Sequence, residues 1–170
     1  NGENTFHNPT VVVDEVTDTV WLSFNKDAYR TYVMSSKNSG ATWSEAVDIT
    51  DDVMLPHWTH YVVGPGRGIQ MKSGRLAIPA GHISSTRSDS IFSHSHMIYS
   101  DDHGAHWRVG GALQGGSNEC ELVETQDGKL YMAVRNAQRR VLKRLCAWSD
   151  DGGESWSNLI ELDDLPDPIC

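Results

Sequence analysis

Cysteine is scarce in this chain. The three that occur in 170 residues, Cys120, Cys146 and Cys170, match no metal-ligand spacing and suggest no disulfide framework. Positive charge is short as well: 14 Lys and Arg stand against 23 Asp and Glu, a formal net charge of −9. That balance argues against nucleic acid as a partner, because phosphate binding wants a clustered basic surface. It also means that an anionic ligand would be held by a few local Arg or Lys side chains rather than drawn in from a distance. No apolar run approaches the roughly 18 residues of a membrane span, and no signal-peptide pattern opens the chain. The chain starts without Met and stops in a Pro-rich stretch, so the expectation is a piece of a longer protein.

Helical periodicity is missing too. The hydrophobic runs are short, rich in Val, Ile, Tyr and Trp, and separated by turn residues, which is a strand signal throughout. Set into this pattern is a string that occurs three times: SKNSGATW (36–43), SDDHGAHW (100–107) and SDDGGESW (149–156). Self-similarity at such a period signals a repeat architecture. The Asp or Asn can bond back to local backbone, and the Gly supplies a positive φ. The Trp just beyond the turn is placed to bury a large ring between neighbouring units. The string looks like a fragment of a calcium loop, but it lacks the ligand spacing and the closing Glu. It reads as scaffold.

Aligned on the string, three units share one order of strands. The first has PTVVVD (9–14), TVWLSFN (19–25), TYVMSS (31–36), the string, then AVDIT (46–50). The second has GRGIQM (66–71), GRLAIPA (74–80), SHMIYS (95–100), the string, then RVGGAL (108–113). The third has CELVET (120–125), KLYMAVR (129–135), RLCAWS (144–149), the string, then LIELD (159–163). Four-stranded units repeated in this way predict an all-β fold, a β-propeller with about three blades, over approximately 8–50, 62–113 and 118–163.

In an antiparallel blade the first strand starts, and the second ends, on one rim. The third strand then carries the chain to the other rim, where the strings lie. A site is therefore to be sought on the opposite rim, which should carry Asn8, residues 57–64, residues 79–82, Glu119, and Arg135 with Asn136. Asp127-Gly128 is a two-residue hairpin signal. Closing the hairpin there sets Glu119 opposite Asn136 and diagonal to Arg135, so register alone brings a carboxylate to a guanidinium. Taken by itself, such a pair is a weak surface salt bridge.

The repeated string resembles the Asp-box, or BNR repeat, of the sialidases (neuraminidases). Three longer stretches are similar to the same family: NPTVVVDEVTDTVWLSFNK (8–26), VVGPGRGIQMKSGRLAIPA (62–80) and NECELVETQDGKLYMAVRN (118–136). The resemblance runs in order along essentially the whole chain. It implies a six-bladed sialidase propeller, of which this chain, 1–170, is a partial domain holding about half, and an exo-α-sialidase as the parent protein.

The resemblance also implies roles. Arg135 matches one of three arginines that grip the sialic acid carboxylate, and Glu119 matches the base that serves a nucleophilic tyrosine. Asn8 matches a pocket position, and His57 and Tyr61 fall where the family contacts the glycerol chain. Gly81 and Ile83 stand where some animal sialidases carry tyrosines. The first arginine and the acid/base Asp would precede Asn1, while the third arginine and the tyrosine would follow Cys170. The isolated chain is accordingly expected to be inactive. Implied substrates are sialylated glycoproteins, glycolipids or oligosaccharides, with no cofactor and no catalytic metal. A rival reading is a non-catalytic Asp-box propeller serving as a binding or scaffold module.

Eight histidines raise a metal hypothesis. His94 and His96 share a strand face, and His103 and His106 flank a turn, but no carboxylate-and-histidine constellation completes a site. Arg139, Arg140, Lys143 and Arg144 read as a solvated hairpin tip.

Overall fold

In the computed structural model, residues 4–84, 93–138 and 142–167 are described. Cys170, Arg139 and Arg140 lie outside them. The described chain is almost entirely strand and forms three antiparallel sheets in sequence order. The first joins β1 (Phe6–Asp14), β2 (Thr19–Lys26), β3 (Arg30–Ser36) and β4 (Val47–Asp48). The third joins β11 (Ser117–Glu124), β12 (Leu130–Asn136), β13 (Lys143–Ser149) and β14 (Ile160–Pro166).

The middle sheet departs from the expected pattern. Its first strand, predicted as one run over 66–71, is split. The pieces β5 (His60–Val63) and β7 (Ile69–Gln70) both pair with β8 (Leu76–Ile83), followed by β9 (Ser93–Ser100) and β10 (Arg108–Val109). Between them β6 (Gly66–Arg67) leaves the sheet and runs parallel to β1 of the neighbouring blade. The excursion needs glycine at position 68, where a Cβ would stand 2.7 Å from the Ala77 carbonyl oxygen and from the Val12 side chain. A second departure is the one-turn helix α1 (Thr50–Val53), started by Asp48, whose Oδ1 accepts from the Thr50 amide. Four residues are too few to leave a helical period in the sequence.

Alternation along the middle sheet makes it the centre of the fold. Leu76, Ile78, Ala80 and Ile98 point toward the first blade, where they pack with Val12, Val33, Trp58 and Trp107. Ala77, Met97 and Tyr99 point the other way, into Leu122, Leu130, Met132 and Val134 of the third blade. A period of two thus buries both faces of one sheet against two neighbours. Each fully enclosed large aliphatic contributes roughly 1.5–3 kcal/mol.

The strings follow one construction. In each, the side chain of Asn38, Asp102 or Asp151 accepts from the amide four residues on, at 2.9 Å. The Ser that opens each string, given no role in the sequence reading, accepts from the Gly amide: Ser36 from Gly40, Ser100 from Gly104, Ser149 from Gly153. The three Trp residues are not equivalent. Trp107 is enclosed against Trp21, and Trp156 donates from Nε1 to the Gly111 carbonyl of the preceding blade. Trp43, expected to be buried, is 36% exposed, because the first blade has no earlier blade in this chain to cover it.

Candidate active site

The two rims separate as strand direction requires. At the string rim His103 meets Asp14 at the end of β1, and Arg75 before β8 meets Asp101 and Glu154. At the other rim lies a cavity of about 300 Å³, walled by His7 and Asn8, by His60, by Gly81 and His82, and by Asn118 and Glu119.

Two β-bulges deliver polar groups to this cavity. In β1 the register slips between His7 and Thr10, so Asn8 and Pro9 together face one partner residue. In β11 it slips between Ser117 and Cys120, so Asn118 and Glu119 together face Arg135. Bulges re-aim side chains in this way, and both stand at the same end of a first strand. Asn8 sits at φ 54° and donates from Nδ2 to the Val63 carbonyl, which ties the first blade to the second.

The hairpin loop corrects the expected register. Thr125 and Lys129 bond across the hairpin end, and Gly128 takes φ 86° in a loop one residue longer than the two-residue turn expected at Asp127-Gly128. The ladder is thereby shifted by one, which sets Glu119 against Arg135 rather than diagonal to it, and the bulge brings Asn118 to the same partner. Arg135 Nη1 donates to Glu119 Oε2 at 2.7 Å, with both side chains about three-quarters buried. Among the described residues no other partner meets the guanidinium, and none meets the second carboxylate oxygen. The main-chain amide of Glu119 is held by Asn118 Oδ1 at 2.8 Å.

The remaining expected residues are not brought to the cavity wall. His57 is exposed beside Trp58, and Tyr61 is fully enclosed, its hydroxyl against His96. Burial pushes the Tyr61 phenol well above its usual range. Burial likewise pushes the Cys120 thiol up to about 12, so it is no nucleophile at neutral pH. His60 and His82, within the rim segments 57–64 and 79–82 expected from the sequence, line the cavity, together with His7 and Asn118, which were not named for it. Strand β8 pairs His82 between Tyr61 and His94 on one face. Burial, aided by the charge of His7, lowers His60 below the usual histidine range. Among the described residues no group of three or more His, Cys, Asp or Glu could hold a metal ion.

Blades joined through two cores, one on each face of the middle sheet, with Asp-box turns on one rim and a polar cavity on the other, define an Asp-box β-propeller. The chain belongs to the BNR repeat-like domain family, whose model matches residues 2–169, and to the sialidase superfamily. It is 33% identical to Sialidase-4 of Mus musculus over 174 residues, covering 88% of this chain and 36% of that protein. It is 28% identical to a sialidase of Bacteroides fragilis over 191 residues, covering 99% of this chain and 34% of that protein. A solved structure, the Hadza microbial sialidase Hz136, superposes with a TM-score of 0.81 at 27% identity, covering 92% of this chain and 33% of that one. The chain therefore spans about a third of the length of the curated relatives it matches.

Proposed function

We propose that the chain is part of an exo-α-sialidase whose parent removes terminal α-linked sialic acids from glycoproteins, glycolipids or oligosaccharides with retention. The chain then forms one partial propeller domain, with blades over approximately 8–50, 62–113 and 118–163. The observation that carries this reading is the Glu119–Arg135 pair beside a polar cavity on the rim away from the strings. The similarity to Sialidase-4 and to the microbial sialidases supports it.

The pair suits the chemistry. Arg135 has five N–H donors in a planar fork and spends one on Glu119, which leaves others for a planar sugar carboxylate. A phenol of ordinary pKa near 10 attacks poorly unless a base takes its proton. Glu119 keeps one carboxylate oxygen free of partners among the described residues, available for that task. A tyrosine nucleophile is the known sialidase departure from the two-carboxylate scheme. It suits a sugar whose anomeric carbon already bears a carboxylate, which would repel an anionic attacker. The tyrosine, the acid/base Asp and two further arginines would belong to the rest of the parent, so the chain alone is expected to be inactive. Asn8 joins the site as a cavity contact. His57, exposed beside Trp58, and Tyr61, enclosed, do not line the cavity.

Glu119→Gln in the full-length protein tests the reading. Turnover of a fluorogenic sialoside should fall about 10²–10⁴-fold with KM nearly unchanged. Wild-type turnover in that variant overturns the assignment, and a full-length protein that binds sialosides but cleaves none is a binding module instead.

A further inference from the structure

The chemistry above leaves a set of buried rings behind the cavity unused. On the face of β5, β8 and β9 that packs toward the first blade, Tyr61 lies across from His82 and His82 across from His94. His82 is sandwiched, its ring 3.5 Å from Trp58 and 5.1 Å from His94, both nearly parallel. Its Nδ1 meets His96 Nδ1 at 3.1 Å, and His96 Nε2 meets the Tyr61 hydroxyl at 3.1 Å. His82 itself lines the cavity with Asn118 and Glu119, and its Nε2 has no hydrogen-bond partner among the described residues.

A proton count sets the direction of this chain. Tyr61 and His96 are both fully enclosed, and the Tyr61 hydroxyl has no other partner among the described residues. A buried O–H without an acceptor is costly, so the phenol donates to His96 Nε2. A neutral imidazole carries one N–H and one lone pair. His96 must then hold its proton on Nδ1 and donate it to His82 Nδ1, which leaves the His82 proton on Nε2. The reverse direction would strand the phenol proton. Both rings are neutral near pH 7, since burial pushes His96 down to about 3, and burial with the neighbouring imidazoles pushes His82 down to about 2.

We propose that His82 is a substrate-binding residue whose Nε2–H, oriented by His96 and Tyr61, donates to an uncharged oxygen of the bound sugar, a hydroxyl or an amide carbonyl. An uncharged donor stacked on Trp58 complements Arg135, which takes the charged group. His96 and Tyr61 are positioning residues. The contact rests on the cavity being the glycan site, whereas the tautomers do not.

Imidazole ¹⁵N NMR of the full-length protein reads the ring protons directly. The expected result is opposite tautomers, with His82 protonated on Nε2 and His96 on Nδ1. Tyr61→Phe keeps the ring but removes the donor. It should redistribute both tautomers and raise KM for a sialoside about three- to tenfold, with kcat near wild type. His82→Ala should raise KM at least about tenfold, and His82→Gln, which keeps an N–H, should recover part of that loss. A wild-type His82 proton on Nδ1 overturns the proposal, as does a Tyr61→Phe variant with unchanged spectrum and KM. Opposite tautomers in a protein that cleaves no sialoside would fell the sialidase reading and leave the relay standing. Sialoside cleavage with a bare His82 Nε2 would fell the relay alone.

Discussion

The two rims of these blades use the same polar residue types in opposite ways. At the string rim Asp14 and Arg75 are held by many bonds. Asp14 accepts from Thr17, Gln70, His103 and the Val16 amide. Arg75 grips Asp101 with two nitrogens at 2.7 and 3.0 Å, donates to the Gly152 carbonyl, and lies 3.8 Å over the Tyr99 ring. At the cavity rim, among the described residues, Glu119 keeps an oxygen free, Arg135 most of its fork, and His82 one nitrogen. Groups whose bonds are all made hold blades together, and groups with bonds to spare can receive a ligand. Saturation, rather than residue type, separates scaffold from site.

The largest effect that could break this comparison is at the string rim. Trp107→Ala removes an enclosed ring packed on Trp21 and should cost about 3–5 kcal/mol of stability, read by chemical denaturation of the full-length protein. The kinetic constants of the fraction that stays folded should remain near wild type. A variant that kept its stability and lost activity would place chemistry on the wrong rim.

Next in size is Arg135→Ala. It should weaken binding of sialic acid by about 1.5–3 kcal/mol, measured by calorimetry, while the melting temperature moves little. A large loss of stability with unchanged affinity would make the pair an ordinary salt bridge. Trp43→Ala sharpens the contrast among the strings. With its ring 36% exposed, the substitution should cost only about 1 kcal/mol. A cost equal to that of Trp107 would show that another surface covers the first blade.

The smallest effect concerns acid. Burial alone would raise Asp14, but its four hydrogen bonds outweigh this and hold it at about 2, below the ordinary 3.8. Bonds led by His106 and by Ser155 hold Asp102 and Asp151 at about 2 as well. Carboxyls lowered by folding stabilise the protein fully above their ordinary value, and that contribution fades as pH falls toward about 2. Asp14→Asn should lower stability near neutral pH and flatten its loss between about pH 4 and 2, followed by circular dichroism. The exposed string carboxylates should add little to that slope, because solvent screens them.

Much of this was legible beforehand, for identifiable reasons. The strings, the turns and the alternation of β8 are local patterns, and local patterns survive in sequence. The rim assignment of Glu119 and Arg135 also came from local counting. It erred by one residue, since the hairpin loop is longer than its Asp-Gly signal suggests; that shift sets Glu119 opposite Arg135, and the bulge adds Asn118 beside it. Bulges leave no reliable trace in a single sequence, because the extra residue is chosen by the partner strand.

By itself, then, the sequence determined the strand content, the order within each blade and the rim on which a site could lie, because those follow from periods of two and from turn chemistry. Tertiary structure alone decided the rest. It split the middle blade's first strand to let Gly68 approach the first blade, left Trp43 open while enclosing Trp107, and buried Tyr61 behind His96 and His82. Each of these depends on which surface a neighbouring blade presents, and that is a property of packing between segments far apart in the chain.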